Sequence, residues 1–164
     1  MKISQYLTLA EATKSQTATR HGVDNTPNAA QLQAMKITGR MIFDKVREYI
    51  GGPLAATSFF RGPELNKLIG GSATSQHCKG EAVDMDADVF GMGTNKFIFL
   101  YIKEHLEFDQ LIWEFGDNPD VNHDRDVLPQ PAWVHASYSV HGNRGQILIA
   151  YRDEHGKTKY RGWI

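Results

Sequence analysis

A chain of 164 residues, 41% of them apolar, is long enough to bury a core without covalent staples and short enough to be one domain. Its net charge of -1 gives no electrostatic case for nucleic acid or an anionic membrane, and no apolar run approaches the roughly 20 residues of a membrane span. The single cysteine, Cys78, excludes an intramolecular disulfide framework.

The start, "MKISQYLTLAEATKS", turns polar too soon for the apolar core of a signal peptide. A short segment "ISQYLTLAEAT" leads into the polar stretch "KSQTATRHGVDNTPN", which ends in the cap residues Asn25, Thr26, Pro27 and Asn28. The following "AAQLQAMKITGRMIFDKVREYI" spaces Leu32, Met35, Met41, Ile42, Val46 and Ile50 as one apolar face of a long helix, stopped by Gly51, Gly52 and Pro53. "LAATSFF" reads as a strand, and "GPELNKLIGG" as a short helix with proline near its start and glycines after its end. "TNKFIFLYIKEHLEF", from Thr94 to Phe108, predicts a second main helix. The tail "QILIAYRDEHGKTKYRGW" predicts a β-hairpin turning at Asp153 to Gly156, a C-terminal unit over residues 145–164 that Tyr151, Tyr160 and Trp163 are expected to pack. Two main helices among several short strands argue for an α+β fold in a single domain, residues 1–164, expected to be a monomer.

Three further runs carry polar groups in a pattern that a strand would sort. Side chains alternate across a strand. In "EAVDMDADVF", Val83, Met85, Ala87 and Val89 share one face, and Asp84, Asp86 and Asp88 the other. In "DQLIWEF", Leu111, Trp113 and Phe115 lie opposite Glu114; in "AWVHASYSV", Val134, Ala136, Tyr138 and Val140 lie opposite Trp133, His135 and Ser137. If each apolar face packs on the same core, Asp84, Glu114 and His135 converge on the other surface of one sheet. His77, in the loop before the Asp84 strand, can join them through a turn at Gly80. Two histidines and a carboxylate with a fourth position open to water is a ligand set suited to catalytic zinc. Such an ion lowers the pKa of bound water and polarises a carbonyl.

"SQHCKGEAVD" resembles the S-x-H-x-x-G-x-A-x-D signature of the zinc peptidoglycan peptidases grouped with D-alanyl-D-alanine carboxypeptidases, and "WVHASY" resembles that family's second metal motif. "TSFFRGPELNKLIGGSATSQH" and "FDQLIWE" are similar to further runs of the family, so that the resemblance extends over about residues 5–140 and leaves out the final hairpin. It implies a hedgehog/D,D-peptidase-like α+β fold, a small antiparallel sheet with helices on one face. It implies His77, Asp84 and His135 as ligands of Zn2+, Arg61 as the anchor of a substrate carboxylate, Ser75 as a nearby hydrogen-bond donor, and peptidoglycan stem peptides as the substrate. Relatives often place the catalytic base two or three residues before the second histidine ligand. Here Ala132 and Trp133 stand there, and neither can take a proton from water. Glu114 is the candidate base instead, with a carboxylate that steadies a ligand imidazole as its other reading; Asp86 and His123 are weaker candidates.

A peptidase acting on the cell wall without a classical leader is expected to arrive by phage-type release or as a component of a phage particle, and otherwise to remain cytoplasmic. Two other functions stand beside the enzyme. The absent base at Ala132 and Trp133 favours a non-catalytic, zinc-stabilised structural or wall-binding module, and Cys78 beside His77 raises a thiol hydrolase. Arg61, read without the motif, is a surface residue paired with Glu64.

Overall fold

The computed structural model describes residues 1–91, 95–121 and 128–164. Among the described residues six α-helices, α1 (Leu9–Ala12), α2 (Gln16–His21), α3 (Ala29–Thr38), α4 (Asp44–Ile50), α5 (Pro63–Leu68) and α6 (Asn95–His105), accompany six strands. The strands are β1 (Ala55–Ser58), β2 (Ala82–Asp86), β3 (Gln110–Glu114), β4 (Trp133–Ser137), β5 (Gln146–Arg152) and β6 (Thr158–Gly162). They form one sheet in the order β1-β2-β4-β3-β5-β6, which is the expected α+β fold. No helix among the described residues is long and apolar enough to cross a membrane.

The core lies on one face of the sheet. Val83, Met85, Leu111, Trp113, Val134, Ala136 and Ile149 point into it, and Met35, Ile42, Phe43, Val46, Ile98, Phe99 and Ile102 meet them from the helices. Each strand residue belongs to the apolar half of its alternation, so the pattern that predicts the strands also places the core.

Four of the five strand pairings are antiparallel, as expected, and the β3/β5 pairing is parallel. The connection explains this correction. β4 ends at Ser137, beside the start of β3, so a chain that hops over the end of β3 must run alongside it in the same direction. Buried Asp109 clamps the hop: its carboxylate accepts from the Arg144 backbone N–H (3.0 Å), Nε (2.9 Å) and Nη2 (2.6 Å). Arg144 holds that carboxyl below its ordinary range, burial opposing only in part.

The helix expected over residues 29–50 is interrupted by a π-helical turn at Gly39–Phe43. A Cβ on Gly39 would lie 3.0 Å from Ser4 Cβ, so the helix has made room for the N-terminal segment. Asp44, just beyond, is buried and accepts hydrogen bonds from Ser4 Oγ (2.7 Å) and the Gln5 (2.9 Å) and Tyr6 (3.2 Å) backbone N–H groups. The extra residue turns Met41 away from the predicted apolar face and exposes it. α2 occupies part of the stretch read as merely polar, capped by Ser15 Oγ and closed by Gly22.

Candidate metal centre

His77 sits on a 3-10 turn, Gln76–Lys79, whose conformation is fixed locally. Ser75 Oγ accepts from the His77 backbone N–H (3.3 Å), and Gly80 ends the turn at φ 75°. A Cβ on Gly80 would stand 2.6 Å from the Gln31 carbonyl oxygen, so only glycine lets the turn press against α3. Gln31 Nε2 donates to the Cys78 carbonyl (3.0 Å) and the Arg61 N–H donates to the His77 carbonyl (3.2 Å).

The imidazole of His77 is buried and oriented. Its Nδ1–H donates to the Phe59 carbonyl oxygen at 2.7 Å, a partner that can only accept, which turns Nε2 toward Asp84, 3.4 Å away. Asp84 and His135 are direct cross-strand partners in the β2/β4 ladder, which brings His135 Nδ1 to 2.9 Å from the same Asp84 Oδ1. The two imidazoles stand edge to face, with centroids 5.0 Å apart. Burial would push the Asp84 carboxyl up, but the two histidines win and hold it well below the carboxylate range.

One ligand atom from each of His77, Asp84 and His135 lies within 4.8 Å of the others. Zinc bonds of about 2.0–2.2 Å at tetrahedral angles put ligand atoms about 3.4 Å apart, so a small adjustment of the side chains fits this set to the ion. The Phe59 carbonyl behind His77 supplies the outer hydrogen bond that metal-bound histidines ordinarily make. The donor set fits a borderline-soft divalent ion with one position left over.

Glu114 lies on the same face. β3 pairs with β4 so that Ile112 is opposite His135 and Glu114 opposite Trp133, one step along the sheet from the cluster. Its side chain is buried and forms no hydrogen bond to any described residue. Burial, with the Asp84 charge adding to it, raises its carboxyl to about 7 against the pull of His135 and Arg61. Arg61 follows β1 on the other flank. Its Nε is buried with no hydrogen-bond partner among the described residues, and no ion pair with Glu64 forms. The side chain lines a hollow of about 390 Å³ with Lys14, Ser15, Thr57 and Ser58.

Other expectations meet different fates. Asp86 Oδ1 is engaged, accepting from Asn95 Nδ2 (3.0 Å) and the Asp88 N–H (2.9 Å), which makes it a structural anchor. That turn ends β2 at Asp86 and leaves Val89 exposed instead of on the core face. His123 lies outside the described residues. Burial raises the Cys78 thiol pKa, more than Arg61 lowers it, the reverse of an activated nucleophile. Phe115 is the sharpest departure. With φ at 53° it is turned out of the strand alternation, and its ring stands beside Trp133 (5.4 Å) and under the Arg152 guanidinium (4.8 Å), both on the site face. Sequence reading also missed Asn95, fully buried, whose amide joins the ends of three segments: Oδ1 accepts from Ala87 N–H (2.8 Å), and Nδ2 donates to Asp86 and to the Ala132 carbonyl (3.1 Å). An asparagine at the head of an apolar helix was its one available signal.

Fold and site together define a class: small α+β domains whose sheet presents a His–Asp–His cluster able to hold a metal ion. The profile of the Peptidase M15 family matches residues 5–115, more than half of the chain, and the protein belongs to that family of peptidases, whose members resemble zinc D-alanyl-D-alanine carboxypeptidases. No match is found among curated proteins. His135 lies beyond the matched residues, so its place in the cluster rests on the strand pairing alone.

Proposed function

We propose that the protein is a zinc-dependent peptidase that hydrolyses peptide bonds in peptidoglycan stem peptides. The observation that carries this reading is the placement of a buried, unbonded glutamate on the same sheet face as a cluster of two histidines and a carboxylate. His77 Nε2, Asp84 Oδ1 and His135 Nδ1 would hold the ion. Zinc in such a site lowers the pKa of water and polarises a substrate carbonyl.

The protein's own groups do the rest. Glu114, with a carboxyl near 7, takes a proton from water at a carboxylate oxygen and can return it to the leaving amine. The Phe59 carbonyl keeps His77 in the tautomer that presents Nε2. Arg61, whose buried Nε has no partner, binds a carboxylate of the substrate, and the spare hydroxyl proton of Ser75 is available beside the turn that carries His77. Glu114 weakens the case for a non-catalytic module, since a carboxylate faces the site where Ala132 and Trp133 cannot serve as a base.

The test is Glu114→Gln, which keeps size and polarity but removes the base. Stem-peptide fragments released from purified wall, read by mass spectrometry, should fall about 10²- to 10⁴-fold while stoichiometric zinc binding persists. A chelator should abolish release from the unaltered protein, and the fragment masses identify the bond cut. Undiminished release by Glu114→Gln, or by chelated protein, overturns the mechanism. Zinc binding by the unaltered protein with no release at all would favour the wall-binding module.

A further inference from the structure

The geometry points to the β5–β6 hairpin as the second wall of the substrate cleft, with Tyr160 touching the acyl side of the bound peptide. The inference rests on the peptidase reading above and on Arg61 as the anchor of the leaving-group side.

The hairpin lies outside the matched part of the chain, so nothing in the family match assigns it a role. Its orientation follows from two independent observations. Trp163 packs into the core against Phe99 (4.8 Å) and Trp113 (5.8 Å), and its backbone N–H donates to the Ile147 carbonyl (3.1 Å). Alternation along β6 then sends Tyr160 to the opposite face, the face of the cluster. The strand register agrees: Trp133, Glu114, Ala150 and Tyr160 are successive cross-strand partners, and partners in register share a face.

Between Glu114 and Tyr160 this row holds only the methyl group of Ala150, and that residue is 1% exposed, so its larger neighbours close over it. Tyr160 itself is 54% exposed, a large side chain half in solvent beside a buried carboxylate. Sequence patterning expects Tyr160 and Trp163 alike to pack the hairpin; Trp163 packs against the core, while Tyr160 is exposed. The charges of the site act on the phenol. Burial raises its pKa first, the charges of Glu114 and Asp84 add to it, and Arg61 opposes them.

The wall is also braced. The Arg152 guanidinium donates to the Gly156 carbonyl and Thr158 Oγ1 (3.2 Å each) while lying over the Phe115 ring, which leans on Trp133. Arg61 follows the edge strand on one side of the cluster and Tyr160 stands on the edge strand at the other, with the His–Asp–His group and Glu114 between them. A peptide whose terminal carboxylate meets Arg61 must pass its acyl-side residues over Tyr160. A neutral phenol suits that place, since its O–H donates to a main-chain carbonyl and its ring covers an aliphatic side chain.

The experiment uses the zinc-loaded full chain and a free stem pentapeptide, L-Ala-D-Glu-L-Lys-D-Ala-D-Ala, together with forms shortened from the amino end one residue at a time. Tyr160→Ala should lose about tenfold in kcat/KM on the longer peptides and be unchanged on the shortest one cleaved, the size expected for one hydrogen bond and a ring contact. Tyr160→Phe should lose part of that. An equal loss on every length, or none, overturns the wall. A second measurement needs no activity: the phenolate absorbance of metal-free protein minus that of Tyr160→Phe. It should show one phenol titrating above free tyrosine and moving down in Glu114→Gln. A phenol indifferent to Glu114 overturns the placement, whereas no cleavage of any peptide by the unaltered zinc protein defeats the peptidase reading and leaves this titration to decide the placement by itself.

Discussion

Trp113 and Glu114 are neighbours on β3, both buried, on opposite faces of the same sheet. Trp113 meets Phe99 at 5.4 Å and Trp163 at 5.8 Å, and its Nε1–H donates to the Asp117 carbonyl (2.9 Å), so it has every partner its chemistry wants. Glu114 is 7% exposed, and no described residue gives its carboxylate a hydrogen bond. One face therefore stores stability, and the other gives some of it up to keep a carboxylate short of partners. The alternation of a strand lets adjacent residues serve both ends without a change of backbone. It also means that substitutions one residue apart should move stability in opposite directions.

The largest expected effect is on the core face. Trp113→Ala removes a side chain that is 1% exposed at the centre of the aromatic group and should cost about 3–5 kcal/mol of unfolding free energy in urea titrations. A loss below about 1 kcal/mol would mean that the helices, not the sheet, dominate the core, and the contrast between faces would collapse.

The next effect is on the site face, and its sign is opposite. In the metal-free fold the Glu114 carboxyl titrates at about 7, against 4.5 for an ordinary glutamate. The folded protein thus holds a proton that the unfolded chain has already released between those pH values. Glu114's contribution to stability falls as pH rises through that window, by at most about 3 kcal/mol. Glu114→Gln cannot ionise, so in chelator its advantage over the unaltered protein should grow from pH 4.5 to 7 and then level off. Urea midpoints across this range measure it. A constant difference would show Glu114 to be better solvated than its burial indicates.

Most of this contrast is legible in the amino-acid sequence. His77, Asp84, Glu114 and His135 can be brought together from it because three short strands each carry one polar group against an apolar alternation, and a period of two leaves little freedom about which face it takes. Chemistry that depends on tertiary contacts is not legible there. The π-helical turn that exposes Met41 arises from Gly39 meeting Ser4, 35 positions apart by their numbering, and no local pattern announces it. The parallel β3/β5 pairing depends on which edge the chain takes after β4, a choice fixed by the Asp109–Arg144 clamp. Asn95 works through bonds to Ala87, Asp86 and Ala132, of which only the first two are near in sequence. Tyr160 is readable only once Trp163 is known to fill the core.

Phe115 is where the alternation itself gives way, and it carries the smallest prediction. The pattern assigns it to the core with Leu111 and Trp113, yet a left-handed backbone at φ 53° turns its ring to the site face between Trp133 and Arg152. A bulky residue in that region of φ costs on the order of 1 kcal/mol or more, offset here by ring contacts of about 0.5–1 kcal/mol each. Two substitutions separate the opposing parts. Phe115→Gly removes the ring and the strain together, and its stability should change by less than about 1 kcal/mol. Phe115→Ala removes the ring and keeps the strain, so it should be the less stable of the two by about 1 kcal/mol. Equal stabilities would mean that the backbone at this position relaxes once the ring is gone. In that case the conformation is imposed by Trp133 and Arg152 from outside the strand, and the site face, not the turn after β3, decides where the alternation stops.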